Sequence, residues 1–119
     1  MLMINSINHI RLGEYFCLDE FQCPCCKRIM LHPLLLQKLK GLRYKVVKKV
    51  IITSGYRCPC YNQEVGGVKG SYHLLGMAAD IYVPEISLIS LLKVAEEISF
   101  QGIWDYAESN FVHLDIRPT

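Results

Sequence analysis

The chain has 119 residues, of which 51% are hydrophobic, and this suits one domain over residues 1–119 with an ample core. Its 13 basic and 11 acidic residues give a net charge of +2 and are scattered along the chain, so no basic tract argues for a nucleic-acid partner. No apolar run approaches the length of a membrane span, so we expect no membrane partner.

The beginning of the chain bears on where the protein is made. Residues 1–10 lack both the charged start and the continuous apolar stretch of a secretory signal. We therefore expect synthesis in the cytoplasm, where the chain stays unless something else exports it.

Six cysteines fall into two groups, with Cys17, Cys23, Cys25 and Cys26 in the first and Cys58 and Cys60 in the second. Without a signal peptide, clustered thiols are more typical of reduced or metal-bound cysteine than of disulfides. One interpretation is a structural zinc at Cys23, Cys26, Cys58 and Cys60. Because Cys-x-Cys-Cys followed by Cys-x-Cys is not a standard zinc-binding spacing, the sequence favours the other interpretation, free thiols.

Two helices are predicted from hydrophobic periodicity. The first runs from His32 to about Val47, with Pro33 in its first turn and leucines at helical spacing: Leu35, Leu36, Leu39 and Leu42. The second is introduced by Pro84 and Glu85 and continues to about Phe100, with an apolar face made of Ile86, Ile89, Leu92, Val94 and Ile98.

Short apolar runs predict the strands. Val50–Thr53 is followed by Cys58–Gly70, whose prolines, asparagine and glycines predict a loop. Met77–Val83 reads as a buried strand that ends before a proline. A final hairpin pairs Gly102–Tyr106 with the strand Phe111–Ile116.

Three residues, His73, Asp80 and His113, are of the types that hold a catalytic zinc. Such an ion takes three ligands from histidine nitrogens or carboxylate oxygens and leaves a fourth position for water. A single histidine in an apolar strand is more often a core residue, and an aspartate that ends an apolar run is usually a cap. The spacing alone therefore leaves both interpretations open.

The predicted strands give this ligand set a geometry. Within its strand, His113 shares one face with Asp115, because alternate residues of a strand point to the same side. If the two strands are neighbours, Asp80 and His113 point at one ion. His73 then arrives from the preceding loop, where Gly76 allows a close turn between ligands.

Several segments carry a resemblance to a known family: Ile52-Thr53-Ser54-Gly55-Tyr56-Arg57, then Asn62 with Val65-Gly66-Gly67-Val68, then Ser71-x-His73-x-x-Gly76-x-Ala78-Ala79-Asp80, and finally Phe111-Val112-His113-x-Asp115. In this order they resemble the M15 zinc peptidases, the D-alanyl-D-alanine carboxypeptidases and related phage endolysins that cut the peptide part of bacterial cell wall. The match covers nearly the whole chain. It implies an α+β fold, in which a small antiparallel sheet carries the zinc site and packs against helices.

The resemblance also implies an activity. A zinc-dependent peptidase of this family hydrolyses peptidoglycan stem peptides or their D-Ala-D-Ala termini with a metal-activated water. One catalytic Zn²⁺ would be held by His73, Asp80 and His113, and the peptidoglycan peptide would be the partner. For a wall enzyme without a signal, this favours a phage or prophage lysin that acts on the wall once released, or a domain cut from a longer protein.

Two other functions stay open. The main alternative is a degenerate peptidase, a non-catalytic and zinc-stabilised module that binds cell-wall peptide. A third interpretation makes the cysteines primary, as in a small zinc-binding adaptor in which His73 and His113 are structural.

The residue that would take a proton from the metal-activated water is the least determined part of the site. Several family members place a carboxylate three residues before the last histidine ligand, where this chain has Asn110. Asp115 is the first candidate for this catalytic role, and it could instead orient a ligand imidazole. Asp105 and Glu108 are the reserves.

Four residues are candidates for substrate binding. The resemblance implies that Arg57 reaches into the cleft to hold a substrate carbonyl or carboxylate, for which a guanidinium is well suited. Its alternative is a structural ion pair. Ser71 either orients a ligand, touches the substrate or is a turn hydroxyl, while Trp104 and Tyr106 either line the cleft or belong to the core and sheet edge.

Overall fold

The structure, a computed structural model, describes residues 7–118. The expectation of no secretory signal rests on residues 1–10, of which residues 1–6 lie outside the described range. The helices and strands follow the chain in this order: α1 Pro33–Val46, β1 Ile51–Ser54, α2 Pro59–Glu64, β2 Ala78–Tyr82, α3 Leu88–Ile98, β3 Gly102–Tyr106 and β4 Phe111–Asp115. Among the helices in this range, none has the length and apolar character needed to cross a membrane.

The four strands form one antiparallel sheet in the order β1-β2-β4-β3. β2 and β4 are therefore the central neighbours, and Asp80 lies directly opposite His113 in their register. The expected α+β fold, with a small antiparallel sheet packed against helices, is confirmed.

The faces of β4 are divided as the alternation of its residues predicts. Val112, Leu114 and Ile116 are buried in the hydrophobic core, where they meet helix residues such as Leu39 of α1 and Leu91 of α3. Burial of this apolar surface, at about 25 cal/mol per Å², holds the helices on one side of the sheet. The opposite face, with His113, is left for the site.

Both long helices begin at residues whose side chains cap the first turn. α1 follows the prediction, because the His32 ring accepts a hydrogen bond from the Leu34 N–H at 3.0 Å and Pro33 occupies the first turn. α3 begins at Leu88, later than the predicted start at Pro84. The Ser87 hydroxyl accepts the Ser90 N–H at 3.1 Å, and this cap sets the first turn.

The predicted loop from Cys58 to Gly70 contains a short helix, which corrects that expectation. α2 begins after Cys58, whose sulfur accepts the Tyr61 N–H at 3.4 Å, and Pro59 supplies a first-turn residue. The turn residues that indicated a loop lie mostly after this helix, at residues 66–70.

Leu39→Ala tests the packing between α1 and the sheet. Leu39 is fully buried, so its truncation removes apolar contacts and leaves a cavity that should cost about 2–5 kcal/mol of unfolding free energy. Urea denaturation followed by circular dichroism measures this. Tyr44→Ala, at a highly exposed position of the same helix, is the control and should cost less than about 0.5 kcal/mol. Equal costs at the two positions would contradict the described packing.

Candidate metal centre and substrate cleft

Three separate segments bring the predicted ligands together. Asp80 lies on β2 and His113 on β4, side by side in the centre of the sheet. His73 lies in a 3-10 helix, Tyr72–Leu75, that precedes β2. Gly76 ends this helix with a φ of 69°, a left-handed conformation that lets the chain turn directly from His73 into β2.

The ligand atoms of this set converge on one point. The Asp80 Oδ1 atom lies 3.2 Å from His73 Nε2 and 3.0 Å from His113 Nδ1. A tetrahedral zinc with bonds of 2.0–2.1 Å requires ligand atoms roughly 3.3 Å apart. The two distances from Asp80 are close to this spacing, and the three side chains form one of the possible metal-binding groups among the described residues.

Hydrogen bonds fix which nitrogen of each imidazole faces this point. His73 Nδ1 donates to the Gly55 carbonyl at 2.7 Å, and His113 Nε2 donates to Asp115 Oδ2 at 2.8 Å. Because acceptors hold protons on the outer nitrogens, the nitrogens that face Asp80 are the ones at which a metal would take the place of a proton. Metal-bound histidines almost always have such outer partners.

The charges at the centre reinforce this arrangement. Burial alone would raise the pKa of Asp80, but hydrogen bonds from His113 and His73 outweigh it and lower that pKa to about 2. Burial alone would lower the pKa of His113, but its hydrogen bonds to Asp115 and Asp80 raise that pKa to about 9. Asp80 is thus an ionised carboxylate that attracts positive charge, which a metal cation supplies.

Asp115 is completely buried beneath the site, where it is held by Arg117. Its carboxylate accepts the Arg117 Nε and Nη2 at 2.8 and 2.6 Å, and the Arg117 backbone N–H at 3.1 Å. Burial opposes ionisation of this carboxyl, but the bonds from Arg117 and His113 hold its pKa well below the usual range. The position therefore suits a fixed acceptor for the His113 ring.

Arg117 has a second set of contacts. Its guanidinium lies over the rings of Trp104 and Tyr72, 4.8 and 5.0 Å from their centroids. The same side chain thus joins the buried Asp115 to an aromatic residue of β3.

Arg57 also pairs with a residue of the centre. Its Nη2 lies 3.1 Å from Asp80 Oδ2, while Nε donates to Ser54 Oγ at 3.0 Å and Nη1 donates to Asn62 Oδ1 at 3.2 Å. These partners hold the guanidinium plane in one orientation. The structure is therefore compatible with both interpretations of Arg57, a structural ion pair and a substrate-binding residue, because Arg57 pairs with Asp80 and also lines the cleft.

The ligand set opens into a cleft of about 520 Å³. Its walls include all four candidates for substrate binding, Arg57, Ser71, Trp104 and Tyr106, together with Val65, Gly66, Gly67, Val68, Phe111 and Arg117. The Ser71 hydroxyl accepts the His73 N–H at 3.2 Å, so it also fixes a ligand segment.

The other carboxylate candidates lie elsewhere. Asp105 is an exposed residue of β3 opposite Val112, on the face away from His113, and Glu108 is exposed in the following turn. Asn110 has a φ of 59° in that turn, and none of the three lines the cleft. In the described part of the chain, Asp80 is the one carboxylate among the lining residues.

The sequence reasoning missed several supporting residues. Arg117 follows Asp115 by two positions and so shares its side of the extended chain, a signal that could have identified it. Asn62 appeared only within a motif, although it accepts from Arg57 and donates to the Val68 carbonyl at 3.0 Å. Gly55 contributes a backbone carbonyl to His73, and no side chain in the sequence indicates this contact.

Gly102→Ala tests the buried Asp115. A methyl group at this position would overlap both carboxylate oxygens of Asp115, so the carboxylate or the strand must shift and the hydrogen bonds with Arg117 are disturbed. We expect a loss of about 1.5–3 kcal/mol in unfolding free energy, the range for losing hydrogen bonds to a charged group. Chemical denaturation measures it, with Gln101→Ala at the adjacent exposed position as the control. Unchanged stability of the Gly102 variant would contradict the described contact.

Similarity to known proteins extends over most of the chain. Residues 14–115 match the family described as Peptidase M15. The chain is 39% identical over 88 residues to the peptidoglycan L,D-endopeptidase MepK of Escherichia coli strain K12, covering 70% of this chain and 46% of that protein. It is 34% identical over 83 residues to the probable peptidoglycan L,D-endopeptidase MepK of Haemophilus influenzae, covering 66% of this chain and 43% of that protein. The chain thus spans about half the length of these curated relatives. Because the family match extends over most of its length, the protein belongs to peptidase family M15.

Proposed function

We propose that this protein is a zinc-dependent endopeptidase that hydrolyses a peptide bond within peptidoglycan. Family membership and the similarity to MepK support a peptidase that acts on peptidoglycan. The observation that carries the proposal is the convergence of His73 Nε2, Asp80 Oδ1 and His113 Nδ1 in an open cleft. Release to the wall as a phage or prophage lysin remains a prediction from the sequence.

The donor set suits Zn²⁺ at this centre. Two imidazole nitrogens and one carboxylate oxygen form a ligand set that catalytic zinc uses, whereas Mg²⁺ and Ca²⁺ prefer oxygen ligands. When bound there, Zn²⁺ supplies a Lewis acid for the scissile carbonyl and lowers the pKa of a water molecule toward neutrality. His73, Asp80 and His113 would hold it.

Asp115 acts on this site through His113. Its carboxylate fixes the His113 tautomer and ring orientation, so that Nδ1 faces the ligand cluster. We propose this positioning role, which is the second of the two roles considered for Asp115. A buried carboxylate held by Arg117 has no direct path to a water molecule in the cleft.

In this proposal Arg57 is a hydrogen-bond donor to the substrate, while its charge stays paired with Asp80. Ser54 and Asn62 hold its guanidinium at the cleft wall, so it can donate to a substrate carbonyl without first becoming ordered. A pre-oriented donor at a carbonyl that gains negative charge contributes most in the transition state.

The cleft extends across the sheet to both sides of the ligands. Arg57 follows β1, at one edge of the sheet, and Trp104 and Tyr106 lie on β3, at the other edge. Tyr106 stacks on Phe111, with ring centroids 4.6 Å apart, and the two form an apolar wall. A peptide lying across the ligands would contact both walls.

The charges in the cleft favour an endopeptidase over a carboxypeptidase. A carboxypeptidase must neutralise the terminal carboxylate of its substrate, for which it needs an available cation. Among the described lining residues, both arginines already pair with carboxylates, Arg57 with Asp80 and Arg117 with Asp115. The names of the relatives point the same way, and we propose cleavage between an L- and a D-residue.

A second function is favoured by one specific observation. A peptidase of this type needs a group that takes a proton from water and passes it to the leaving amine. In the described part of the cleft, the one carboxylate is Asp80, which belongs to the ligand set. This favours the alternative of a zinc-stabilised module that binds cell-wall peptide without cutting it.

Incubation with defined muropeptides separates these functions. We expect zinc-dependent cleavage that a chelator abolishes and added zinc restores, with mass spectrometry of the products identifying the bond. Two peptide fragments indicate an endopeptidase, and loss of one alanine indicates a carboxypeptidase. His113→Ala should abolish turnover, while His9→Ala, at an exposed histidine paired with Asp19, should not. Absence of any product from protein that contains zinc would contradict the enzyme and support the binding module.

Asp115→Asn separates a positioning role from a proton-transfer role. If Asp115 orients His113, the variant should bind zinc about 10- to 100-fold more weakly, the usual effect of losing such a partner. Activity should then recover as zinc is raised to saturation, and its pH profile should keep the wild-type shape. Normal zinc affinity, together with a lower kcat at saturating zinc, would instead indicate direct proton transfer by Asp115.

A further inference from the structure

A second group of possible ligands lies outside the cleft and consists of thiols. The sulfurs of Cys23, Cys26 and Cys58 lie within 4.8 Å of one another, although Cys26 and Cys58 are 32 positions apart in the chain. All three cysteines are free. The spacing in the sequence favoured separate thiols, but the fold brings the two groups together.

The first two of these cysteines lie in one tight turn. The Lys27 N–H donates to the Cys23 carbonyl and the Cys23 N–H to the Arg28 carbonyl, both at 2.8 Å. Lys27 takes a φ of 63°, a conformation that is uncommon for a residue with a side chain. This turn places Cys23 and Cys26 side by side at the two-residue separation typical of structural zinc sites.

Backbone amides surround two of the sulfurs. Cys23 Sγ accepts the Cys58 N–H at 3.5 Å, and the backbone amides of Cys25 and Cys26 also point at it. Cys58 Sγ accepts the Tyr61 N–H at 3.4 Å. Hydrogen bonds donated to sulfur favour the thiolate, which is the form that binds a metal.

We propose that Cys23, Cys26 and Cys58 bind a second, structural Zn²⁺, with a fourth thiolate from Cys25 or Cys60. Both candidates for the fourth position are exposed beside the cluster, and Cys25 interacts electrostatically with Cys58 and Cys60. Four thiolates in a tetrahedron are a ligand set typical of structural zinc.

This ion would fasten the N-terminal segment to the segment that carries Arg57. The Tyr56 N–H donates to the Phe21 carbonyl at 2.9 Å, and the Arg57 N–H donates to the His73 carbonyl at 3.2 Å. Arg57 therefore lies between a residue bonded to the N-terminal segment and a proposed ligand, Cys58. The second ion would support the cleft without contacting the substrate.

Cobalt substitution tests the thiol site independently of peptidase activity. Protein without a histidine tag, purified under reducing conditions, is stripped of metal and titrated with Co²⁺. We expect the intense near-ultraviolet charge-transfer band of thiolate-bound cobalt in the wild type, and the same band in His113→Ala. Metal analysis of the zinc-loaded proteins should give two ions per chain for the wild type and one for His113→Ala.

Single cysteine variants identify the ligands. Cys58→Ser should remove or strongly reduce the band, whereas Cys17→Ser, outside the cluster, should leave it unchanged. The change produced by Cys25→Ser or by Cys60→Ser identifies the fourth ligand, and no change in either variant would overturn that part of the proposal. If Cys58→Ser does not fold, the cobalt spectra of the wild type and His113→Ala still test whether thiolates bind a metal.

Three results would overturn the site itself. The first is a wild type that binds one ion, shows no thiolate band and loses the ion in His113→Ala. The second is a thiol count in denatured, unreduced protein that falls short of six by a pair, which would indicate a disulfide. The third is iron in place of zinc, with the absorption of an iron–sulfur cluster.

Discussion

The Asp80 carboxylate is the interaction on which the rest of this site depends. One of its oxygens faces both candidate ligands, His73 and His113, and the other accepts a hydrogen bond from the Arg57 guanidinium. The carboxylate is almost fully buried, so it must be matched by positive charge where it stands. That match depends on the register of β2 and β4, because a shift of one residue would turn Asp80 toward the core and separate it from His113.

Much of this arrangement could be predicted from the sequence, where the signals are local. The leucine periodicity of α1 and the alternation along β4 reflect which side of each element is buried, and both predictions match the structure. The candidate ligand set was predicted from strand geometry and from the resemblance to M15 peptidases, and the structure brings its three residues together. Contacts that depend on distant segments could not be predicted in this way. The His73 ring, for example, donates to the carbonyl of Gly55, 18 residues earlier in the chain, and a backbone carbonyl gives no side-chain signal.

Asn110 has both a chemical and a conformational interpretation. At the level of chemistry, the family resemblance implies a carboxylate at this position, and an amide cannot accept a proton in that role. At the level of the backbone, it occupies the left-handed conformation in the turn between β3 and β4, which asparagine adopts more readily than most residues. The turn therefore accounts for an asparagine at this position without reference to catalysis.

The edge position of β3 has a consequence for solubility. In the described sheet, β3 has a hydrogen-bonded strand on one side, and its outer backbone groups form a template on which another chain could add a strand. Trp104 and Tyr106, both about half exposed, add apolar surface to this edge, which favours association with another chain. Asp105 stands between them and places a charge in the middle of a strand of five residues. Short length and a central charge both discourage aggregation through strand addition, so the cleft can keep exposed aromatic residues at the margin of the sheet.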